Sequence, residues 1–184
     1  TPVPWPEVKA GDWIREHLDS GVIGFDPWLH TADEVERLEA ALQDCGVTLR
    51  PVRNFIDSIW PDQPAAPVGL AFAHPVELAG ETSLSKRARL GGQLRDAGQD
   101  HAVITLPDSI CWLLNLRGAD VPRNPILHGF AILAADGAVR LFTDPAKITP
   151  EAAAALDTAV TVLAPDGFAA ALAGLTGVVR VDKG

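Results

Sequence analysis

The chain has 184 residues, 47% of them hydrophobic, and a formal net charge of -9, enough apolar material for one full domain and part of another. No apolar run approaches the roughly 20 residues needed to span a bilayer, and the N-terminus lacks the charged-then-apolar layout of a signal peptide, so no membrane partner is expected and the address reads as cytoplasmic. Residues 1–64 hold 5 Lys/Arg against 12 Asp/Glu, and so acidic a surface repels phosphate backbones, which argues against nucleic acid as a partner.

The first predicted element is a helix with the apolar stripe Trp13, Ile14 and Leu18, followed by a short buried strand over Gly21–Phe25 that the Asp26-Pro27 turn closes. Thr31-Ala32-Asp33-Glu34 is a capping box ahead of a helix with Val35, Leu38, Ala41 and Leu42 on its buried face, and Gly46 is expected to end it. Val47–Val52 reads as a second strand, and Phe55–Trp60 as a helical turn. Two strands and two helices make a marginal core, so residues 1–60 read as the C-terminal part of a first, incomplete domain. Pro61, Pro64, Pro67 and Pro75 then mark residues 61–80 as a semi-extended linker.

Residues 81–184 carry a fuller pattern. Ser83 is expected to cap a helix with Leu84, Ala88, Leu90 and Leu94, which Gly98 terminates. Lys86, Arg87, Arg89 and Arg95 sit at helical spacing and read as its solvated face, while Gly91-Gly92 reads as a close-packing site. Ala102–Leu106 is an apolar strand, and Pro107 opens the next helix at the first-turn position it tolerates. That helix runs into the polar, turn-rich stretch Asn115–Pro125. Beyond it, Ile126–Leu133 and Val139–Phe142 flank Asp136-Gly137, a strong hairpin signal. Pro145–Leu156 reads as an Ala-rich helix, Val160–Leu163 as a strand, Phe168–Leu172 as a helix and Val178–Val181 as a closing strand. Helices alternating with strands around one hairpin predict an α/β fold, a mixed sheet flanked by helices.

Candidate chemistry is sparse. His17, His30, His74, His101 and His128 form no H-E-x-x-H arrangement, no G-x-S-x-G elbow or phosphate-binding glycine loop occurs, and Cys45 and Cys111 sit in apolar helical patterns as free buried thiols. Neither catalytic nor metal-binding residues are expected in the chain. The loop offers Asn115, Arg117, Asp120, Arg123 and Asn124 within a short span. Arg117 has the planar fork that binds a carboxylate; alternatively Arg117 and Asp120 pair with each other or cap nearby backbone, and Asn124-Pro125 is simply a turn. Trp112→Ala is expected to cost roughly 3 to 5 kcal/mol if the ring is core.

The stretch Asp108, Ile110, Trp112, Leu113, Asn115, Arg117, Gly118, Asp120, Asn124 and Pro125 closely resembles a motif, D-x-I-x-W-L-x-N-x-R-G-x-D-x-x-x-N-P, in the second domain of the long, three-domain Xaa-Pro aminopeptidases. Asp26–Thr31 and Asn54–Pro64 are similar to the end of that family's first domain and its passage into the second, with Pro61 a minor departure. The resemblance implies a creatinase/prolidase N-terminal domain-like fold for residues 81–184. It implies that the full-length enzyme removes the N-terminal residue from peptides whose second residue is proline. The two divalent metal ions, usually manganese, would be held by a C-terminal catalytic domain that is not in this chain. That domain and a second copy in a homodimer are the implied partners. In related enzymes the equivalent loop can face an active site, which makes Asn115, Arg117, Gly118, Asp120, Asn124, Pro125 and His128, the last expected on the following strand, candidates for substrate access or a domain interface. The alternative is a protein-binding module of a peptidase-like protein that has lost catalysis, whose acidic charge favours basic partners.

Overall fold

In the computed structural model, which describes residues 2–4 and 6–184, the caps and alternations of the sequence build two units. The first reaches Pro64 and takes in Lys183–Gly184; the second is Ala65–Asp182. The first contains α1 (Ala10–His17), β1 (Gly21–Phe25), α2 (Ala32–Ala41), β2 (Val47–Pro51) and α3 (Phe55–Ile59). The capping box forms as expected: the Thr31 hydroxyl accepts from Glu34 N–H while the Glu34 carboxylate accepts from Thr31 N–H. Helix α2 stops at Ala41, short of Gly46, because Asp44 and Gly46 both take positive φ and turn the chain into β2. Strands β1 and β2 run parallel, Gly21 beside Val47 through Phe25 beside Pro51. Ile14, Leu42 and Val47 are buried, with Ile23 and Leu38 packed on them.

The second unit contains β3 (Ala71–Ala73), α4 (Val76–Ala79), α5 (Ser83–Asp96), β4 (His101–Ile104), α6 (Pro107–Leu114), β5 (Leu116–Gly118), β6 (Phe130–Ala134), β7 (Val139–Phe142), α7 (Pro150–Ala155), β8 (Val160–Leu163), α8 (Phe168–Ala173) and β9 (Val179–Arg180). Its main sheet has the order β8-β7-β6-β4-β9. The β4–β6 and β6–β7 pairs are antiparallel, and β4–β9 and β7–β8 are parallel. Side chains alternate across it with period two. Ala131, Leu133, Val139 and Leu141 pack under α5, α6 and α7 through Leu94, Ile110, Leu113, Leu114 and Ala152, while Ile132 and Phe142 meet Phe168 of α8 on the opposite face. Each such buried Val, Leu, Ile or Phe side chain contributes about 1.5 to 3 kcal/mol relative to exposure. The fold is therefore a mixed sheet flanked by helices. Asp136-Gly137 makes the expected hairpin, Gly137 at φ +91° and the Asp136 carboxylate accepting from Ala138 N–H.

Further expectations are corrected. Lys86 and Arg87 are buried, each 2% exposed, rather than solvated; the Arg87 guanidinium donates to Gly137 O and pairs with the partly exposed Asp157 carboxylate, which compensates its charge. Only Arg89 and Arg95 of that group are exposed. Trp112 is 43% exposed, because it lies on the outer face of α6, under the Lys86 ammonium at 4.5 Å from the ring centre. Thr82, not Ser83, caps α5, its hydroxyl accepting from Ser85 N–H. The Pro145–Leu156 helix is two pieces, a 3-10 turn over Pro145–Lys147 and α7, since Pro150 holds Thr149 out of helical geometry and Asp144 and Thr149 each cap a separate start. Within the proline-rich stretch, Ala71–Ala73 is a strand paired antiparallel with β5, and Ala71 is fully buried.

Gly91 and Gly118 are among the glycines at close backbone approaches. A Cβ on Gly91 would stand 2.6 Å from Ala135 O, the close packing anticipated there, and one on Gly118 would stand 2.6 Å from Ile126 O.

Candidate functional site

The loop begins where α6 ends. Asn115 is the C-cap of α6 in left-handed geometry, φ 50° and ψ 44°, a conformation Asn tolerates better than most non-glycine residues. Its side chain is consumed there: Nδ2 donates to Glu81 O at 2.9 Å, and Oδ1 accepts from Lys86 Nζ at 2.7 Å. Lys86 Nζ also donates to Trp112 O at 2.8 Å. Burial holds the Lys86 ammonium below its ordinary range; Glu81 opposes this, and Arg117 and Arg89 add to it. Strand β5 follows, and Gly118 lets it lie against Ile126 and Leu127.

Asp120 is the anchor of the loop rather than a free acid. Its carboxylate accepts from Gly69 N–H at 3.1 Å and His128 N–H at 2.7 Å and pairs with Lys147 Nζ at 2.8 Å. Both members of the pair are buried, Asp120 7% and Lys147 7% exposed. Burial pushes the Asp120 carboxyl up, but the Lys147 bond, the two backbone donors and the Lys147 charge outweigh it, and the net direction is down. Of the two alternatives the sequence offered, the Arg117–Asp120 pair does not form, whereas both side chains bond backbone groups.

Arg117 and the far end of the loop are more available. Arg117 Nη1 donates to Leu116 O at 2.7 Å and to Cys111 O at 3.5 Å. Asn124 and Pro125 are exposed and, with Asp108, Cys111, Trp112, Arg117 and Ile126, enclose a recess of about 140 Å³. Burial pushes the Cys111 thiol above its ordinary range, and its sulfur accepts from Leu127 N–H, the surroundings of a structural thiol. Arg123 takes φ +67° at the tip. His128 lies before β6 begins, not on the strand, and lines a different recess of about 720 Å³ with Val68, Phe130, Phe142 and Lys147. The candidate residues thus divide: Asn115, Gly118 and Asp120 build the loop, Arg117, Asn124 and Pro125 surround one recess, and His128 borders another.

Asp108, Lys86 and Lys147 complete this picture and escaped selection as site residues. Lys147 stands 27 residues from Asp120 with no sequence signal linking them, whereas Asp108 belongs to the quoted motif and was accessible to the same reasoning. Among the described residues no group of three or more His, Cys, Asp or Glu could hold a metal ion.

Comparison with known proteins follows the same lines. The sequence model of the family described as "Creatinase/Prolidase N-terminal domain" matches residues 62–183. The Coccidioides posadasii protein named "Probable Xaa-Pro aminopeptidase P" is 39% identical over 141 residues, 75% of this chain and 23% of that one. "Aminopeptidase P2" of Arabidopsis thaliana is 37% identical over 146 residues, 77% of this chain and 20% of its own. The crystal structure of X-prolyl aminopeptidase from Caenorhabditis elegans, described as a cytosolic enzyme with a di-nuclear active site, matches 92% of this chain and 28% of that one, with TM-score 0.83 and 29% identity. The chain spans about a quarter of the length of these relatives.

Proposed function

The chain belongs to the creatinase/prolidase N-terminal domain family, and from that premise we propose that it is the non-catalytic N-terminal region of a metal-dependent Xaa-Pro aminopeptidase. The observation that carries this reading is similarity over 92% of the chain to about a quarter of a peptidase described as having a di-nuclear active site. In the full-length protein, two divalent metal ions, manganese by resemblance, would activate water in a downstream catalytic domain. The enzyme would release the N-terminal residue from peptides with proline in second position, as a homodimer in the cytoplasm. Among the described residues no helix is long and apolar enough to cross a membrane.

The residues of this chain then have two tasks. Asn115, Gly118 and Asp120 fix the loop from within, so that Arg117, Asn124 and Pro125 hold a constant position at the substrate entrance or a domain interface; His128 serves the neighbouring recess. Phe55, Ile56 and Ile59 on α3 are 67%, 53% and 73% exposed, an apolar surface suited to docking of a domain or subunit. The test compares hydrolysis of an Xaa-Pro-Xaa peptide, with manganese added, by this chain and by the same chain extended through its downstream sequence. Activity confined to the extended protein is the expected result. Turnover by the 184-residue chain alone would overturn the reading, and two folded but inactive proteins would favour a binding module.

A further inference from the structure

The recess between α6 and the Asn124-Pro125 bend holds two charges that the protein leaves unanswered. Arg117 is fixed by its two Nη1 bonds to backbone carbonyls, and its Nε and Nη2 meet no acceptor among the described residues. Asp108, exposed in the first turn of α6, has no hydrogen-bond or ion-pair partner among the described residues, and no ion pair joins it to Arg117. Both line the same small recess, beside the half-exposed Trp112 indole, the Pro125 ring and the buried Ile126.

Two opposite charges on rigid elements, unpaired and sharing one opening, are complementary to a molecule that carries both charges a few bonds apart. A simple anion is repelled by Asp108, and a simple cation by Arg117. We propose that this recess binds a small free α-amino acid as its zwitterion, the carboxylate in the fork of Arg117 and the ammonium on Asp108, with a short apolar side chain against Trp112 and Pro125. The guanidinium is suited to bidentate carboxylate recognition. A recess of about 140 Å³ is well below the roughly 300 Å³ at which drug-sized pockets begin, a size matched to one small residue. The inference stands on these side chains alone and does not rest on the peptidase reading.

The test is an NMR titration of the 184-residue chain with L-alanine, following the Trp112 indole N–H assigned through Trp112→Phe, beside acetate and methylamine. Expected is a saturable shift with alanine in the millimolar range and none with either singly charged compound at the same concentrations. Asp108→Asn and Arg117→Gln should each weaken alanine about tenfold or more, the loss of one charge-assisted pair. Because Arg117→Gln also removes backbone bonds, Asp108→Asn decides the matter if that variant loses its dispersed spectrum. No saturable shift with alanine overturns the proposal. So does acetate binding as well as alanine with Asp108→Asn without effect, which would leave a plain anion site.

Discussion

Asp120 and Lys147 form the ion pair on which the loop turns. A buried pair that loses one member leaves the other uncompensated, at about 3 to 5 kcal/mol, so Asp120→Asn and Lys147→Met should each lower the unfolding free energy obtained from urea titration by an amount of that order. The pH dependence has a definite sign. The Asp120 carboxyl is held below its ordinary value in the folded protein; its stabilisation is therefore complete above the unfolded carboxyl's pKa, about 4, and drains away as pH falls through the folded value. Urea midpoints measured between pH 7 and pH 3 should fall less steeply below pH 4 for Asp120→Asn than for the parent chain; equal slopes would remove Asp120 from the acid response. The motif singled out Asp120, but its structural duty was hidden, because Lys147 and Gly69 arrive from elements far away in sequence. Lys86 misled for the same reason: helical spacing marks a face, and only the α6 C-cap, with Asn115 and Trp112 O as acceptors, turns that face inward.

Helix α6 has two faces with different energetics. Ile110 is 1% exposed and Trp112 43%. Ile110→Ala should cost about 2 to 5 kcal/mol as a core truncation. Trp112→Ala should cost about 1 to 3 kcal/mol, a half-buried ring plus its cation–π contact with the buried Lys86 ammonium, below what a core tryptophan would cost. Thermal melts of the two variants compare them directly, and equal losses would contradict the assignment of faces. Elements specified locally were legible: the Thr31 capping box, the Asp136-Gly137 hairpin and the Pro107 start of α6 each contain their own instruction. Elements that exist only through a partner were not. Strand β3 is three residues among prolines, and it becomes a strand because β5 lies beside it. The polar character of Asn115–Pro125 likewise concealed β5, whose Leu116 is fully buried.

At the scale of the molecule, the two units differ in how much core they hold. Around the two-stranded sheet of the first, Ile14, Leu42 and Val47 form the buried cluster, and two strands are marginal alone. The second has a five-stranded sheet covered on both faces. A chain of residues 65–182 should melt cooperatively with dispersed amide resonances, and a chain of residues 2–64 should not; a sharp melt of the shorter piece would show that its sheet needs no further support. The strand order carries one more consequence. Strand β4 receives its parallel neighbour β9 from a segment whose first contact, Val178 N–H to Asp100, spans 78 residues. On a ribosome adding about 5 to 20 residues each second, the open side of β4 waits roughly 4 to 16 seconds for its partner. During biosynthesis that edge is the surface on which a nascent chain of this kind would be captured by chaperones or would pair with the wrong strand.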